Sequence, residues 1–133
     1  MRRVLMLAGI AMSLGTGVSA ATHPAARGRA QPVDIVLSDF AFTPANLRLH
    51  QGQTYRLRFV NRGTGGHNFS APEFFAAARI SPADAATVAG GRVEVGRGEA
   101  RTVRLIPATG SYRVTCTHFL HASFGMTGSI TVD

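Results

Sequence analysis

The most constraining feature of this chain is an alternation of apolar and basic side chains within residues 54–61. Tyr55, Leu57 and Phe59 alternate there with two arginines. Because successive side chains of a β-strand point to opposite faces, this pattern predicts a strand with one buried and one solvated face. A face in contact with water is typical of antiparallel sheets, whereas strands of parallel sheets are usually buried on both faces. The segment therefore predicts an antiparallel sheet.

Similar short runs, separated by glycine and proline turns, occupy most of the remaining chain. The clearest are residues 33–38, 92–95, 100–106, 111–116 and 127–132. Seven or eight strands of this kind predict an all-β fold, a Greek-key β-sandwich or barrel. Residues 72–89 differ, because they are rich in alanine and hold Pro82 directly after Ser81, which is a helix-start signal. This stretch predicts a short helical insertion.

The N-terminus has the form of a secretory signal. Two arginines precede an apolar run that ends at Leu14, and small residues then lead to a cleavage point after Ala20. The apolar run is too short for a comfortable membrane span. We therefore expect export to the periplasm, with residues 1–20 removed as a signal peptide and no membrane span left.

Cleavage would leave a basic chain with one domain. Residues 21–31 have no periodicity and predict a flexible lead-in, and residues 32–133 have the length of a single domain. All fourteen basic residues are arginine. After cleavage, twelve arginines and seven acidic residues would give a net charge of +5 with histidine neutral. The arginines are scattered and are expected on solvated strand faces. Export argues against nucleic acid as the partner and leaves an acidic protein or an anionic membrane surface.

Cys116 is the only cysteine of the chain. Exported proteins work in an oxidising compartment, where structural cysteines normally pair. A single cysteine cannot form an internal disulfide, so it is left with intermolecular pairing, a reactive role or metal binding. Taken alone, such a residue is often a small buried hydrophobe.

The residues around this cysteine favour metal binding. The order is His67, then Cys116, His121 and Met126, with four residues between each of the last three, and Met126 is the only methionine after residue 12. One thiolate, two imidazoles and a weak axial thioether are the donors of a mononuclear electron-transfer copper site. The spacing therefore predicts one copper ion held by these four side chains. His118 is the alternative histidine, through a Cys-x-His arrangement.

The motifs along the chain resemble those of the cupredoxins, or blue copper proteins. They are Phe42-x-Pro44-x-x-Leu47-x-Leu49-x-x-Gly52, His67-Asn68-Phe69, Gly110-x-Tyr112-x-Val114-x-Cys116 and Gly125-Met126-x-Gly128-x-Ile130. The resemblance implies an eight-stranded Greek-key β-sandwich with copper at one end. It also implies that Asn68 ties the two ligand loops together and that backbone amides donate to the cysteine sulfur. Phe119 and Leu120 stand where many family loops have Pro-Gly.

The resemblance implies two rigid walls around the metal, with His67 entering on one sheet and Cys116 ending a central strand. It also implies electron transfer. We therefore expect an exported type 1 copper protein, a monomer that carries electrons between redox partners, among them a cytochrome or a copper enzyme with an acidic surface. The alternative is a periplasmic copper carrier or buffer that delivers metal. An enzyme is not expected, because a Cys-His nucleophile pair needs a substrate pocket and a third, orienting residue.

Overall fold

The computed structural model describes residues 28–133. Its elements in chain order are β1 (Gln31–Ser38), β2 (Ala41–Thr43), β3 (Asn46–Leu49), β4 (Tyr55–Asn61), β5 (His67–Ser70), α1 (Pro72–Ala77), β6 (Arg79–Ile80), a 3-10 helix (Pro82–Thr87), β7 (Arg92–Val95), β8 (Ala100–Ile106), β9 (Gly110–Thr115) and β10 (Thr127–Val132). The predicted signal peptide, residues 1–20, and most of the predicted lead-in lie outside the described residues.

The strands form two five-stranded sheets. The first has the order β2-β1-β4-β8-β6 and the second the order β3-β10-β9-β5-β7. The pairs β1–β4 and β3–β10 are parallel and the other strand pairs are antiparallel. The predicted all-β sandwich is confirmed, and the described strands do not close into a barrel. The strand count exceeds eight because β2 and β6 have three and two residues, too few to produce an alternating pattern.

Buried and exposed side chains alternate along β4 as the sequence predicts. Tyr55, Leu57 and Phe59 are buried between the sheets, and both arginines of the strand are exposed. One core joins the two sheets, and Phe69 of β5 packs against Phe59 with ring centroids 4.9 Å apart. Each large apolar side chain buried in this way contributes about 1.5–3 kcal/mol to the free energy of unfolding.

The predicted helical insertion consists of α1 and the 3-10 helix, with β6 between them. Pro82 occupies the first turn after Ser81, as the sequence indicates. Phe74 and Phe75 of α1 are buried, and their rings pack against Tyr112 and Phe69 at centroid distances of 5.4 and 6.2 Å. These two rings attach the insertion to the core. Within residues 28–133, no helix is long and apolar enough to cross a membrane.

Several connections meet at one end of the sandwich. The turn after β1 and the loop after β4 lie there, because β1 and β4 run parallel with Leu37 opposite Asn61. The long loop after β9 lies at the same end, where His121 approaches His67. The N-terminal end of β5 joins them through the backbone of Val95, which accepts a hydrogen bond from the Asn61 side chain at 2.9 Å. Polar side chains from both sheets can therefore meet above the core.

Candidate metal centre

Two histidines and the single cysteine converge at this end. The Nδ1 atoms of His67 and His121 lie 3.1 Å apart, and His121 Nδ1 lies 3.4 Å from Cys116 Sγ. One donor atom from each residue lies within 4.8 Å of the other two. His67 and Cys116 are buried and His121 is partly exposed, so the cluster lies just beneath the surface.

Both buried donors belong to the same sheet. His67 begins β5, and Cys116 directly follows β9, the central strand and the neighbour of β5. The expectation of a central strand before Cys116 is confirmed. The expectation of donors on two walls is wrong, because Ser70 of β5 pairs with Thr115 of β9 and brings both donors to one sheet edge. The first sheet instead contributes Asp39, described below.

Asn68 joins the two ligand segments. Its backbone N–H points at Cys116 Sγ from 3.5 Å, its Oδ1 accepts the Thr117 N–H at 2.9 Å, and its Nδ2 donates to Thr117 Oγ1 at 2.7 Å. These contacts confirm both roles that the resemblance implies, the tie between the loops and the amide donor to sulfur. A hydrogen bond to a ligating thiolate sulfur tunes the electronic properties of the metal.

The loop after β9 places His121 and Met126. The His121 carbonyl accepts the Met126 N–H at 3.0 Å, and the Met126 carbonyl accepts the Cys116 N–H at 3.1 Å. Leu120 turns the chain with a φ of 61°, a left-handed conformation that is uncommon for a branched residue. Met126 is fully buried. The backbone thus folds the thioether residue against the two donors that precede it.

His118 lies outside the donor cluster. Its ring stacks on His121 with centroids 5.5 Å apart and planes inclined by 21°. Its Nε2 lies 3.0 Å from a Glu94 carboxylate oxygen, and Glu94 also accepts a hydrogen bond from Asn68 at 2.7 Å. Burial alone would raise the pKa of Glu94, but the hydrogen bonds from His118 and Asn68 outweigh it and the pKa is lowered. His118 therefore has a structural partner and is not needed among the donors.

Asp39 is a site residue that the sequence analysis missed. It follows β1, and its Oδ1 lies 3.1 Å from His67 Nε2. The carboxylate is held by the Thr64 backbone N–H at 2.9 Å and the Thr64 hydroxyl at 2.8 Å. These two bonds, followed by the contact with His67, lower the pKa of Asp39. An ionised carboxylate only accepts hydrogen bonds, so it places the His67 proton on Nε2 and leaves Nδ1 free to ligate.

The loop between β4 and β5 leaves room for this contact only because residue 63 is glycine. A Cβ added there would meet His67 Nε2 and would lie 2.6 Å from Asp39 Oδ1. Asn61 fixes the loop, since its Oδ1 accepts the Gly63 N–H at 2.8 Å and its Nδ2 donates to the Gly65 carbonyl at 2.9 Å. Gly63 thus allows close packing around His67.

The cluster fits a copper ion. Nitrogen and sulfur donors that share one metal lie about 2.0–2.3 Å from it, and therefore about 3–4 Å from one another. The distances between His121 and the other two donors fall in this range. Burial, followed by the neighbouring His67 and His118, lowers the pKa of His121, which favours the neutral imidazole that ligates metals. The cluster of His67, Cys116 and His121 is positioned as a type 1 copper site.

The Asp39 carboxylate should lower the reduction potential of the bound copper. A fixed negative charge favours the more positive, oxidised form, and Asp39→Asn removes the charge while keeping an oxygen acceptor for His67 Nε2–H. We expect a higher potential in Asp39→Asn by voltammetry. Because the Asp39 side chain is 39% exposed, solvent screening keeps the shift modest.

The matched control for this prediction is Asp34→Asn. That carboxylate is also exposed and lies on β1, the strand that Asp39 follows, but it pairs with Arg58 at 3.5 Å. Equal potentials in the two variants would show that the Asp39 charge does not act on the metal. Nitrogen-15 NMR of the copper-free protein supplies a second readout, because the His67 proton should lie on Nε2 in the wild type.

The fold resembles those of several solved copper proteins. The dithionite-reduced auracyanin of the photosynthetic bacterium Roseiflexus castenholzii has 23% identity and a TM-score of 0.58, covering 80% of this chain and 99% of that one. Auracyanin B has 27% identity and a TM-score of 0.58, covering 78% of this chain and 89% of that one. A multicopper oxidase from Campylobacter jejuni has 12% identity and a TM-score of 0.58, but the match covers only 30% of the oxidase. Comparison with curated protein sequences gives no significant match.

The sequence matches the cupredoxin-like domain family over residues 9–132. This span contains the three clustered donors, Met126 and both sheets. The resemblance drawn from the motifs is confirmed: the chain is a small copper protein that belongs to the cupredoxin-like domain family.

Proposed function

We propose that this chain is an exported carrier that passes single electrons between redox partners. When bound, copper would supply the electron-accepting and electron-donating centre by cycling between its two oxidation states. The observation that carries the proposal is the convergence of a thiolate and two imidazoles in a largely buried cluster. Export to the periplasm is supported by the signal-like N-terminus of the sequence.

The supports of the donors suit electron transfer. His67 is fixed by Asp39, Cys116 by the Asn68 amide, and the two loops by the Asn68 side chain. Side chains held in this way have little freedom to move toward the coordination geometry that either oxidation state of copper prefers. A rigid set of ligands keeps the reorganisation energy of electron transfer small.

Burial of the donors also distinguishes this proposal from metal delivery. His67 and Cys116 are each only 1% exposed, so the ligands of another protein cannot reach these two donors directly. A copper carrier or buffer is expected to present accessible ligands. The alternative function therefore finds no support in the accessibility of these two donors.

The share of each solved structure that this chain matches supports an electron carrier over an oxidase. The match spans nearly all of the Roseiflexus auracyanin, whose structure was determined in a dithionite-reduced state, but less than a third of the Campylobacter oxidase. Within residues 28–133 one cluster of potential metal donors is found, and a single redox centre suits the exchange of electrons more than the reduction of a substrate at a second centre. We propose that this chain is not an enzyme.

The ligand assignment is tested by colour. We propose His67, Cys116 and His121 as the strong ligands, so the oxidised copper-loaded protein should show an intense visible thiolate-to-copper band. Cys116→Ser should lose this band and keep the β-sheet circular dichroism spectrum. His121→Ala should lose the band unless imidazole is added, whereas His118→Ala should keep it. A band that survives in Cys116→Ser, or that depends on His118, would contradict the assignment.

We propose Met126 as the weak axial ligand. The side chain is fully buried, and its backbone bonds to both Cys116 and His121. Met126→Leu conserves volume and removes the sulfur, which helps the oxidised form more than the reduced one. We expect a higher reduction potential in Met126→Leu and a lower one in Met126→Gln, whose amide oxygen is a harder donor. Unchanged potentials in both variants would make Met126 a core residue only.

Exposed apolar side chains surround His121. Phe119 is 87% exposed and Phe124 63%, and Leu120 and Phe40 are also exposed. Phe40 contacts both the His121 and Phe124 rings, with centroids 5.3 and 5.1 Å apart. Several large exposed apolar residues in one place are typical of an interaction surface. We propose that a redox protein docks on this apolar rim and that electrons pass through the partly exposed His121.

The docking proposal is tested with Leu120→Asp. A buried charge at the interface should slow electron exchange with the partner, measured by stopped flow, while the copper spectrum stays unchanged. Thr109→Asp is the matched control, because it adds the same charge in the exposed turn between β8 and β9 at the other end of the sandwich. Equal slowing by both variants would assign the effect to net charge. The net positive charge suits an acidic partner, so the association rate should fall as salt rises.

A further inference from the structure

We propose that a groove lined by Arg29, Arg56 and Arg104 binds a phosphate-bearing ligand. The groove has a volume of about 540 Å³ and is lined also by Gly28, Ala30, Pro32 and Thr54. The three arginines are far apart in the sequence and belong to the segment before β1, to β4 and to β8. The fold brings them to one concave surface.

The strand register sets two of these arginines directly opposite each other. Arg56 of β4 faces Arg104 of β8, and Pro32 of β1 faces Arg56 on the other side. Like charges directly opposite on neighbouring strands destabilise a sheet, and proline offers no charge to neutralise them. No acidic residue of β1, β4 or β8 therefore stands in this row to neutralise the two arginines.

The next row along the same strands is built differently. Arg58 lies between Asp34 of β1 and Thr102 of β8, and it forms an ion pair with Asp34 at 3.5 Å. A carboxylate thus forms an ion pair with Arg58, whereas neither Arg56 nor Arg104 has an ion-pair partner among residues 28–133. The contrast makes the groove a local feature rather than a property of the whole basic face.

No carboxylate of the described residues pairs with the groove arginines. Within residues 28–133, the arginines that form ion pairs are Arg58, Arg92 and Arg101. Asp84 lies nearby, but its carboxylate accepts the Arg104 backbone N–H at 2.9 Å. The amino-acid sequence contains no acidic residue before Asp34, so the N-terminal segment has no carboxylate to contribute.

The positive surface continues beyond the groove. Arg104 also lines an adjoining concavity together with Arg79 of β6. Both guanidinium groups belong to exposed residues, so an external anion can reach them. An anion bound in the groove would therefore meet three arginines directly and a fourth nearby.

The chemistry of the groove favours phosphate over carboxylate. A guanidinium group offers parallel N–H donors that match two oxygens of one anion. A carboxylate has only two oxygens, whereas a phosphate group has three or four arranged around phosphorus. A phosphate group can therefore accept hydrogen bonds from more than one guanidinium group at once, which suits a groove lined by three arginines.

The groove is separate from the metal centre. Arg56 stands near the start of β4 and Asn61, beside the metal centre, stands at its end, which at about 3.3 Å per residue puts them about 17 Å apart. An anion bound there would not cover the apolar rim around His121. The phosphate proposal therefore does not rest on the proposed electron transfer.

The test uses two double variants with the same change of charge. Arg56→Gln with Arg104→Gln removes two groove arginines, and Arg58→Gln with Arg101→Gln removes two ion-paired arginines from the same sheet. Inorganic phosphate and pyrophosphate are titrated at constant ionic strength, and binding is followed by the amide NMR shifts of residues 54–56 and 104–105. Circular dichroism verifies that both variants are folded.

The groove variant should bind pyrophosphate at least about tenfold more weakly than the wild type, while the control variant binds as the wild type does. Equal affinity in all three proteins, or equal loss in both variants, would overturn the proposal. Binding of a glutamate-rich peptide without any groove-dependent binding of phosphate would also overturn it, because the groove would then take carboxylates.

A vesicle experiment distinguishes the two sources of phosphate. The protein is sedimented with vesicles of phosphatidylglycerol and with vesicles of phosphatidylcholine, which is neutral overall. Groove-dependent binding to the anionic vesicles supports a lipid headgroup as the ligand. Groove-dependent binding of soluble phosphate without binding to vesicles supports a free phosphate compound. Both results sustain a phosphate site and differ only in its natural occupant.

Discussion

A buried imidazole that ligates a metal almost always donates its other N–H to a hydrogen-bond acceptor, and the contacts around His67 supply such an acceptor. Asp39 is the acceptor, and Thr64 fixes its carboxylate from the loop between β4 and β5. That loop passes close to the pair because residue 63 is glycine. The contacts of the His67 side chain therefore involve the turn after β1 in one sheet and the loop that leads into β5 of the other.

The same logic extends to the sulfur. Cys116 lies above an apolar core where an unpaired thiolate would be costly, and the Asn68 amide points toward it. Asn68 can do this because β5 and β9 are neighbours in one sheet, which brings the residue after His67 beside the residue after β9. A single strand pair thus places two donors and the tie between their loops.

The sequence predicted those parts of the molecule that depend on local patterns. Alternation in β4 indicated a sheet with a solvated face, and the spacing of Cys116, His121 and Met126 indicated one loop with several donors. Asp39 could not be found in this way, because it is one polar residue in a turn and acquires its role only when β1 pairs with β4. The sequence also could not predict which sheet carries His67. The pairing of strands depends on contacts between residues that are distant along the chain.

The positions of the arginines show that the distribution of surface charge also could not be predicted from the sequence. Along the sequence they are scattered and suggest only a solvated surface. Strand register separates them into arginines that meet a carboxylate, such as Arg58, and arginines that meet each other, such as Arg56 and Arg104. Arg56 and Arg104 lie at one end of the sandwich, while Asp39 and Glu94 lie beside the metal centre at the other. Net charge alone therefore describes this protein poorly. Because screening acts over about 8–10 Å, the charges close to the apolar rim, which include Asp39, Glu94 and the exposed Arg62, orient a docked partner more strongly than the distant groove arginines do.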